Sequence, residues 1–450
     1  MKRYRLKILS VLLLIPMILS MTSCAKTSGD TMATDVPSDS VGEKVEIIAM
    51  VQSSPEAEFV QSVADSYMAE PGNENITVTI NQLGRDDAYP RIQNQLFTMS
   101  DGVDFFFITP NLVGGLAEGG VLEELDGYFD DPALQEKGFA LDNFTPGGIK
   151  SGSYGGHIYG LPFVTSTMLL FYRTDLIDTP PQTWDEYRAV AEQFTRSINP
   201  DSPTTYGTTV FGKPQQDAIN LLEEVTILWS MGGELVDADG VNHVKDDVNV
   251  EALTYWADLY KDGLTPPDAN TFDYTTVETA FQSGDVAMCI QWDAAAGDFA
   301  NPDLSPEIYD KYAVSIIPGT MQADGSILRT PYLNNWISSV NKFSSHKAET
   351  MDFLAYMYDA DVFTAHLTPG MTTALNGVLA SDTFRESKEA NLSYEAYKES
   401  LEQGRGFVAN PNLDKIASIL DAALNLTMTG SVTPEQALSD AYDEIQQLFD

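Results

Sequence analysis

From Lys44 onward, apolar residues alternate between strand-like runs and helical stripes. Val45–Val51 (VEIIAMV) alternates into an apolar run and predicts a strand. Pro55–Ala69 carries Phe59, Val63 and Tyr67 at helical spacing. Asn75–Ile80 predicts a second strand, Tyr89–Met99 a helix with Ile92, Leu96 and Phe97 on one side, and Val103–Ile108 a third strand stopped by Thr109-Pro110. Strand, helix, strand, helix, strand predicts a parallel sheet with crossover helices. Ligands of such sheets gather at the carboxyl ends of the strands. Here those loops are Gln52-Ser53-Ser54, Gly84–Asp87 and Thr109–Asn111, all polar.

The stretch Tyr159–Leu176 (YGLPFVTSTMLLFYRTDL) mixes two chemistries. Met168–Tyr172 is an unbroken apolar run, short enough for a strand buried on both faces. It is introduced by Phe163 and the hydroxyls of Thr165, Ser166 and Thr167, which an ordinary core has little use for. Beyond it a second α/β body follows. A helix opens at Pro181–Tyr187, with Thr183 as its cap and Glu186 at the capping-box spacing. An amphipathic helix runs from Gln216 to Trp229 and stops at Gly232-Gly233, then a hairpin turns at Asp239-Gly240. Helices are predicted at Val250–Lys261, Thr276–Gln282 and Ala348–Tyr358, and strands at Asp285–Asp293, Tyr312–Ile317 and Trp336–Val340. From Leu392 the chain is mainly helical, with Ile416, Leu420, Leu424 and Met428 at spacing four.

The N-terminus departs from this pattern. Lys2, Arg3, Arg5 and Lys7 precede the apolar run Ile8–Met21, and Ser23-Cys24 follows. A basic start, a short apolar stretch and a small residue before the cut predict a secretory signal over 1–23. Cys24 sits where a bacterial lipobox places its acylated cysteine. Residues 24–43, rich in Ser, Thr, Asp and Gly, predict a flexible tether. With Cys24 lipidated, Cys289 stands alone, a small core residue in an apolar run.

At 450 residues the chain is too long for one core, and 43% hydrophobic content suffices to fill two. Acidic residues number 66 against 25 basic ones; loss of residues 1–23 leaves 21 basic residues and a net charge of −45. That balance excludes nucleic acid as a partner and restricts membrane contact to the lipid anchor. Catalytic signatures are missing: there is no Walker loop, G-x-S-x-G, G-x-G-x-x-G or H-E-x-x-H. His157, His243, His346 and His366 share no ligand spacing, so neither a metal nor another cofactor is expected. Pairs such as Asp86-Asp87 are what so acidic a chain produces by itself. Aromatics and amides at strand exits stand out instead: Phe163, Trp292, Tyr332 and Trp336 beside Gln52, Asn111, Asn334 and Asp293. Sugars offer C–H faces for stacking and hydroxyls for amides and carboxylates. Trp229, at core spacing on its helix, is expected to be packing.

Gly156–Phe163 (GHIYGLPF), Leu170–Leu176 (LFYRTDL), Pro181–Tyr187 (PQTWDEY), Met231–Gly240 (MGGELVDADG) and Phe281–Met288 (FQSGDVAM) with Trp292 come in one order. Together they resemble the extracellular solute-binding proteins of the maltose-binding class. The resemblance covers nearly all of the chain after residue 45. Two stretches depart from it, Tyr332–Trp336 and Met371–Leu375, and they leave the ligand's identity open. It implies an α/β, two-lobed periplasmic-binding-protein-like fold (type II), each lobe a mainly parallel sheet flanked by helices, with a cleft between. The lobes are expected at 44–156 with 330–380, and 157–329 with 381–450. Leu161–Thr167 would lie at a crossing between lobes, and Arg405–Phe407 and Asn410–Asn412 would return toward the cleft.

The function implied is that of a lipid-anchored, monomeric, extracytoplasmic receptor that delivers a mono- or oligosaccharide to an ABC permease by hinge closure. Phe163 and Trp292 are expected to stack on the ligand. Gln52, Arg85, Asp86, Asn111, Asp293 and Asn334 are expected to hydrogen-bond it, and Thr165, Tyr332, Trp336 and Arg405 complete the set. The alternatives are a secreted carbohydrate hydrolase using two cleft carboxylates, and a surface adhesin or sensor without a permease.

Overall fold

The computed structural model describes residues 44–449 apart from 215–217, 238–239, 369–370 and 408–409. The signal, the tether and Cys24 lie outside the described residues, as do Gln216 and Asp239. Three strands open the fold, β1 (Val45–Gln52), β2 (Ile76–Leu83) and β3 (Phe105–Ile108), with helices α1 (Pro55–Ala69), α2 (Arg85–Phe97) and α3 (Pro110–Glu118) after them. β1 pairs in parallel with both β2 and β3, so their carboxyl ends share one edge. α1 keeps its expected bounds and is capped by Ser54, whose hydroxyl accepts from Ala57 N–H at 3.3 Å. α2 begins four residues before its expected start. Its first turn is Arg85-Asp86-Asp87, and the helix continues through Pro90. The residue before a proline is biased against helix; here Asp87 and Ala88 amides already donate to the Gly84 carbonyl.

The hydroxyl-rich stretch belongs to one long strand, β4 (Leu161–Arg173). Beyond it lie α4 (Trp184–Gln193), α5 (Ile219–Ser230), α6 (Asp247–Lys261), α7 (Tyr274–Gln282), β5 (Met288–Trp292), α8 (Ala295–Phe299), β6 (Tyr312–Ser315), β7 (Leu333–Val340), α9 (Lys347–Met357), α10 (Asp382–Ala390), α11 (Tyr394–Gln403), α12 (Leu413–Met428) and α13 (Pro434–Gln446). The main sheet has seven strands, ordered β2-β1-β3-β7-β4-β5, with β6 also on β4. Among the strands of this sheet, the parallel ladders are those of β1–β3. β7 runs antiparallel to β3 and β4, and β5 and β6 antiparallel to β4. This differs from the mainly parallel second sheet expected. β4 reaches the second body as the continuation of a strand and not through a crossover helix, so nothing obliges its neighbours there to be parallel.

Two large cores lie along β4. Leu161, Phe163 and Val164 pack with Ile47, Phe59, Phe107 and Phe353; Met168–Phe171 pack with Trp256, Phe281, Phe299 and Leu420. Thr165–Thr167 lie between, which answers why hydroxyls precede an apolar run: the strand leaves one core there and enters the other. Phe384 and Tyr397 still pack in the first core, whereas Ile416, Leu420, Leu424 and Met428 line the second. By core membership the crossings therefore fall later than residues 156 and 380. α5 is not amphipathic. All twelve of its residues are buried, Glu223 and Glu224 included.

Candidate functional site

In the second core, four rings and one ion pair converge. Trp229 closes the last turn of α5, where Gly232, at φ +85°, reverses the chain; only glycine adopts that conformation without strain. Trp292 ends β5. Tyr332 precedes β7, and its strand edge runs beside Arg405: Leu333 N–H donates to the Arg405 carbonyl at 2.9 Å and Arg405 N–H to the Pro331 carbonyl at 3.0 Å. The Tyr332 ring lies 6.1 Å from Trp229, 6.2 Å from Trp292 and 5.2 Å from Phe407, and Phe407 meets Trp229 edge-on at 5.5 Å. The Arg405 guanidinium sits 4.2 Å over the Trp229 ring, within cation–π range. Its Nη1 donates to Glu234 at 2.8 Å, so its charge is balanced.

Two donors in this cluster remain unspent. Trp229 Nε1 and Arg405 Nε are buried without a hydrogen-bond partner. Buried donors are ordinarily paired, and an orphan of this kind costs roughly 1–3 kcal/mol. The rings are themselves buried, Trp229, Trp292 and Tyr332 being 3%, 8% and 4% exposed; aromatic surface with two free N–H groups suits a ligand offering both C–H surface and lone pairs.

The carboxyl-end edge of the first body holds four more of the expected residues. Gln52 ends β1, Asn111 lies in the first turn of α3, and both are half-buried. Arg85 and Asp86 open α2 at the same edge; their side chains lie outside the described ones. Charge reaches across to the second body. The Tyr332 hydroxyl is pushed up by burial and then by Tyr89 of α2. Burial pushes the Tyr274 hydroxyl and the Asp293 carboxyl up; Lys388 opposes the shift of Asp293, and Glu56, in the first turn of α1, adds the smallest upward push to each. Glu278 is pushed up to about 8 by burial and by a hydrogen bond with Asp298. Gly114 and Gly115 of α3 approach the backbone of Asn410 and Pro411 so closely that a Cβ there would stand 3.0 Å away.

Of the expected ligand set, Trp292, Tyr332 and Arg405 come together. Asn334 is adjacent, its Oδ1 accepting from the Tyr332 hydroxyl at 3.4 Å. Trp336 is half-buried against the first core. Three others are spent elsewhere. Phe163 is fully buried among Phe59, Phe107 and Phe363, with ring centroids at 5.5, 4.8 and 5.8 Å, and has no free face. The Thr165 hydroxyl donates to Asn335 Oδ1 at 2.6 Å. Asp293 is fully buried against Lys388 and the Thr167 amide. Phe163 and Thr165 lie on a strand that passes through both cores, where neither face is open; Asp293, just after β5, is closed off by its own partners. Trp229 packs in the second core, as its helical spacing predicts; its unpaired Nε1 and the contact of Glu234 with Arg405 are what the sequence did not reveal. The available signal was a tryptophan ending a helix just before Gly232-Gly233, with an acid next in line.

Away from this cluster, Glu124, Asp126 and His157 bring ligand-type atoms within 4.8 Å of one another, with no ion among them. Asp126 already accepts from Ile158 N–H at 2.9 Å, and His157 Nδ1 faces Glu124 at 3.2 Å. These contacts account for the cluster as surface ion pairing.

Residues 62–391 match a family described as bacterial extracellular solute-binding protein. The chain belongs to that family. A curated binding protein of Brucella abortus (strain 2308) is 25% identical over 422 residues, covering 88% of this chain and 94% of that one. A maltose-bound MalE3 of T. maritima superposes with a TM-score of 0.76 at 22% identity, covering 90% of this chain and all of that one. A solute-binding protein of an Agrobacterium radiobacter K84 ABC transporter, solved with ribitol, gives 0.76 at 20% identity over 90% and 99% of the two chains. These likenesses establish the two-lobed solute-receptor fold. Extracellular solute-binding proteins are receptors and not catalysts, so the hydrolase alternative falls, and they work outside the cytoplasm. Among the described residues no helix is long and apolar enough to cross a membrane.

Proposed function

We propose that this solute-binding protein captures a neutral saccharide, or a polyol of similar chemistry, between its lobes and presents it unaltered to an ABC permease. One observation carries the reading: the Trp229, Trp292, Tyr332 and Phe407 ring cluster with its two unspent donors. Rings stack on sugar C–H faces, and the donors meet hydroxyl or ring oxygens. Arg405 is already neutralised by Glu234, which favours an uncharged solute. Maltose and ribitol in the two structural relatives support the same chemistry. Gln52 and Asn111 form the facing wall, at the edge where Arg85 and Asp86 open α2, Asn334 lies between, and Trp336 stands at the rim. The lobes are the two expected ones, with the boundary at 156 moved past Val164 and that at 380 past Tyr397, where the cores change. The receptor acts as a monomer. Its anchor is a lipid on Cys24 after removal of 1–23, and residues 24–43 form the tether.

Thermal-shift screening against saccharides and polyols, maltose and ribitol included, tests this. A binder must raise the melting temperature, by about 2.7 kcal/mol of added stability at a hundredfold excess over Kd. It must also be recovered intact by chromatography. A panel without a binder, or a sugar recovered cleaved, would remove the reading.

A further inference from the structure

Asp293 follows Trp292 directly, and three parts of the fold meet on its buried carboxylate. Main chain and side chain both hold Thr167: Asp293 N–H donates to the Thr167 carbonyl at 2.9 Å, and Thr167 N–H donates to Asp293 Oδ1 at 3.1 Å. The other oxygen, Oδ2, faces Lys388 Nζ at 3.3 Å, and neither side chain has exposed surface. Lys388 comes from α10, and its ammonium lies 5.1 Å from the centre of the Tyr397 ring. The Tyr397 hydroxyl donates in turn to the Thr165 carbonyl at 2.7 Å. Tyr312 Oη stands 3.2 Å from the Ala296 carbonyl and 3.1 Å from that of Asn391, so it joins the helix after Trp292 to the end of α10. Thr165–Thr167 is the stretch of β4 that passes from one core to the other.

A buried ion pair is a poor source of net stability, because desolvating two charges offsets most of their attraction and apolar residues of similar volume often serve as well. What such a pair can fix is register. A lone buried charge is heavily penalised, so the Lys388–Asp293 contact holds α10, the crossing strand and the end of β5 in one relative position.

We propose that Lys388 and Asp293 are a positioning pair that locks the crossing stretch of β4 to the strand end carrying Trp292, so that the crossing sets how this ring meets a solute. The proposal rests on the reading of Trp292 as a solute-stacking residue. Lys388 acts through Asp293 and touches no solute itself.

The test uses solute-free protein, so it stands apart from the identity of the ligand. Hydrogen exchange read by mass spectrometry compares wild type with Lys388→Met and with Lys388→Met/Asp293→Asn, which leaves no lone charge if the single variant fails to fold. Segments 165–168 and 291–294 should exchange at least tenfold faster in the variants, while β1 and β2 keep their rates. Near-ultraviolet circular dichroism should show loss of the Trp292 contribution, identified by Trp292→Phe. Unchanged exchange at both segments, equal acceleration along the whole chain, or an intact Trp292 signal would overturn the lock. Titration with maltose reads the consequence, an expected tenfold loss of affinity in the variants. If wild type takes no maltose, the sugar reading is weakened, and exchange and dichroism still decide the lock.

Discussion

Single residues in this protein carry opposite assignments depending on what lies behind them. Trp292 and Asp293 are neighbours in sequence, yet one ring joins the aromatic cluster and the next carboxylate is buried against Lys388. Truncation to Trp292→Ala should cost about 2–4 kcal/mol of solute affinity. Phe163→Ala should leave affinity unchanged and remove about 3–5 kcal/mol of stability, because it opens a cavity among three rings. Denaturant unfolding and calorimetry on the two variants separate these outcomes. Strand-exit aromatics were legible as a class of candidates. Which of them face a ligand was not, because Phe163 and Trp292 differ only in partners far away in sequence. Asp293 shows this most clearly: Lys388 lies 95 residues away from it, and no local pattern announces such a contact.

At the scale of elements, α5 holds the largest departure from its sequence pattern. Glu223 and Glu224 gave the segment a polar face, and the fold buries that face. The Glu223 carboxylate accepts from the Phe211 amide at 3.0 Å and from Trp256 Nε1 at 2.9 Å. Burial pushes both acids up to about 8, and for Glu224 burial is the sole cause. The folded pKa then lies above the unfolded one. The stabilising difference is present in full below about 4.5 and is lost as pH rises through about 8, at roughly 1.4 kcal/mol per unit. Glu224→Gln should therefore flatten the fall of melting temperature between pH 5 and 8 and raise stability at pH 8 more than at pH 5. A parallel curve for the variant would show that Glu224 does not titrate in this range. Other elements followed their patterns closely: α1 at its expected bounds, and α4 behind Thr183, whose hydroxyl accepts from Glu186 N–H at 3.2 Å. Thr183→Ala should cost about 1 kcal/mol, measurable by urea unfolding. Legibility was greatest where local chemistry decides the structure and least where burial does.

Across the whole molecule, one strand threads both cores, and the proposed solute site lies where the strand and the returning chain leave one core for the other. The order of motifs made the two-lobed fold legible. The antiparallel pairing around β4 was not, because strand direction in a second body depends on how the chain arrives there. Closure on a bridging solute should lower the radius of gyration in small-angle scattering, and an unchanged radius at saturation would argue against hinge motion. The most direct test of the central claim is calorimetric titration of a saccharide panel, headed by maltose, into wild type and Trp229→Phe, which keeps a ring and removes the unspent Nε1 donor. The account predicts that wild type binds a panel member with one-to-one stoichiometry and that Trp229→Phe binds it at least fivefold more weakly. Equal affinity in the two proteins, or binding confined to solutes without hydroxyl groups, would contradict it.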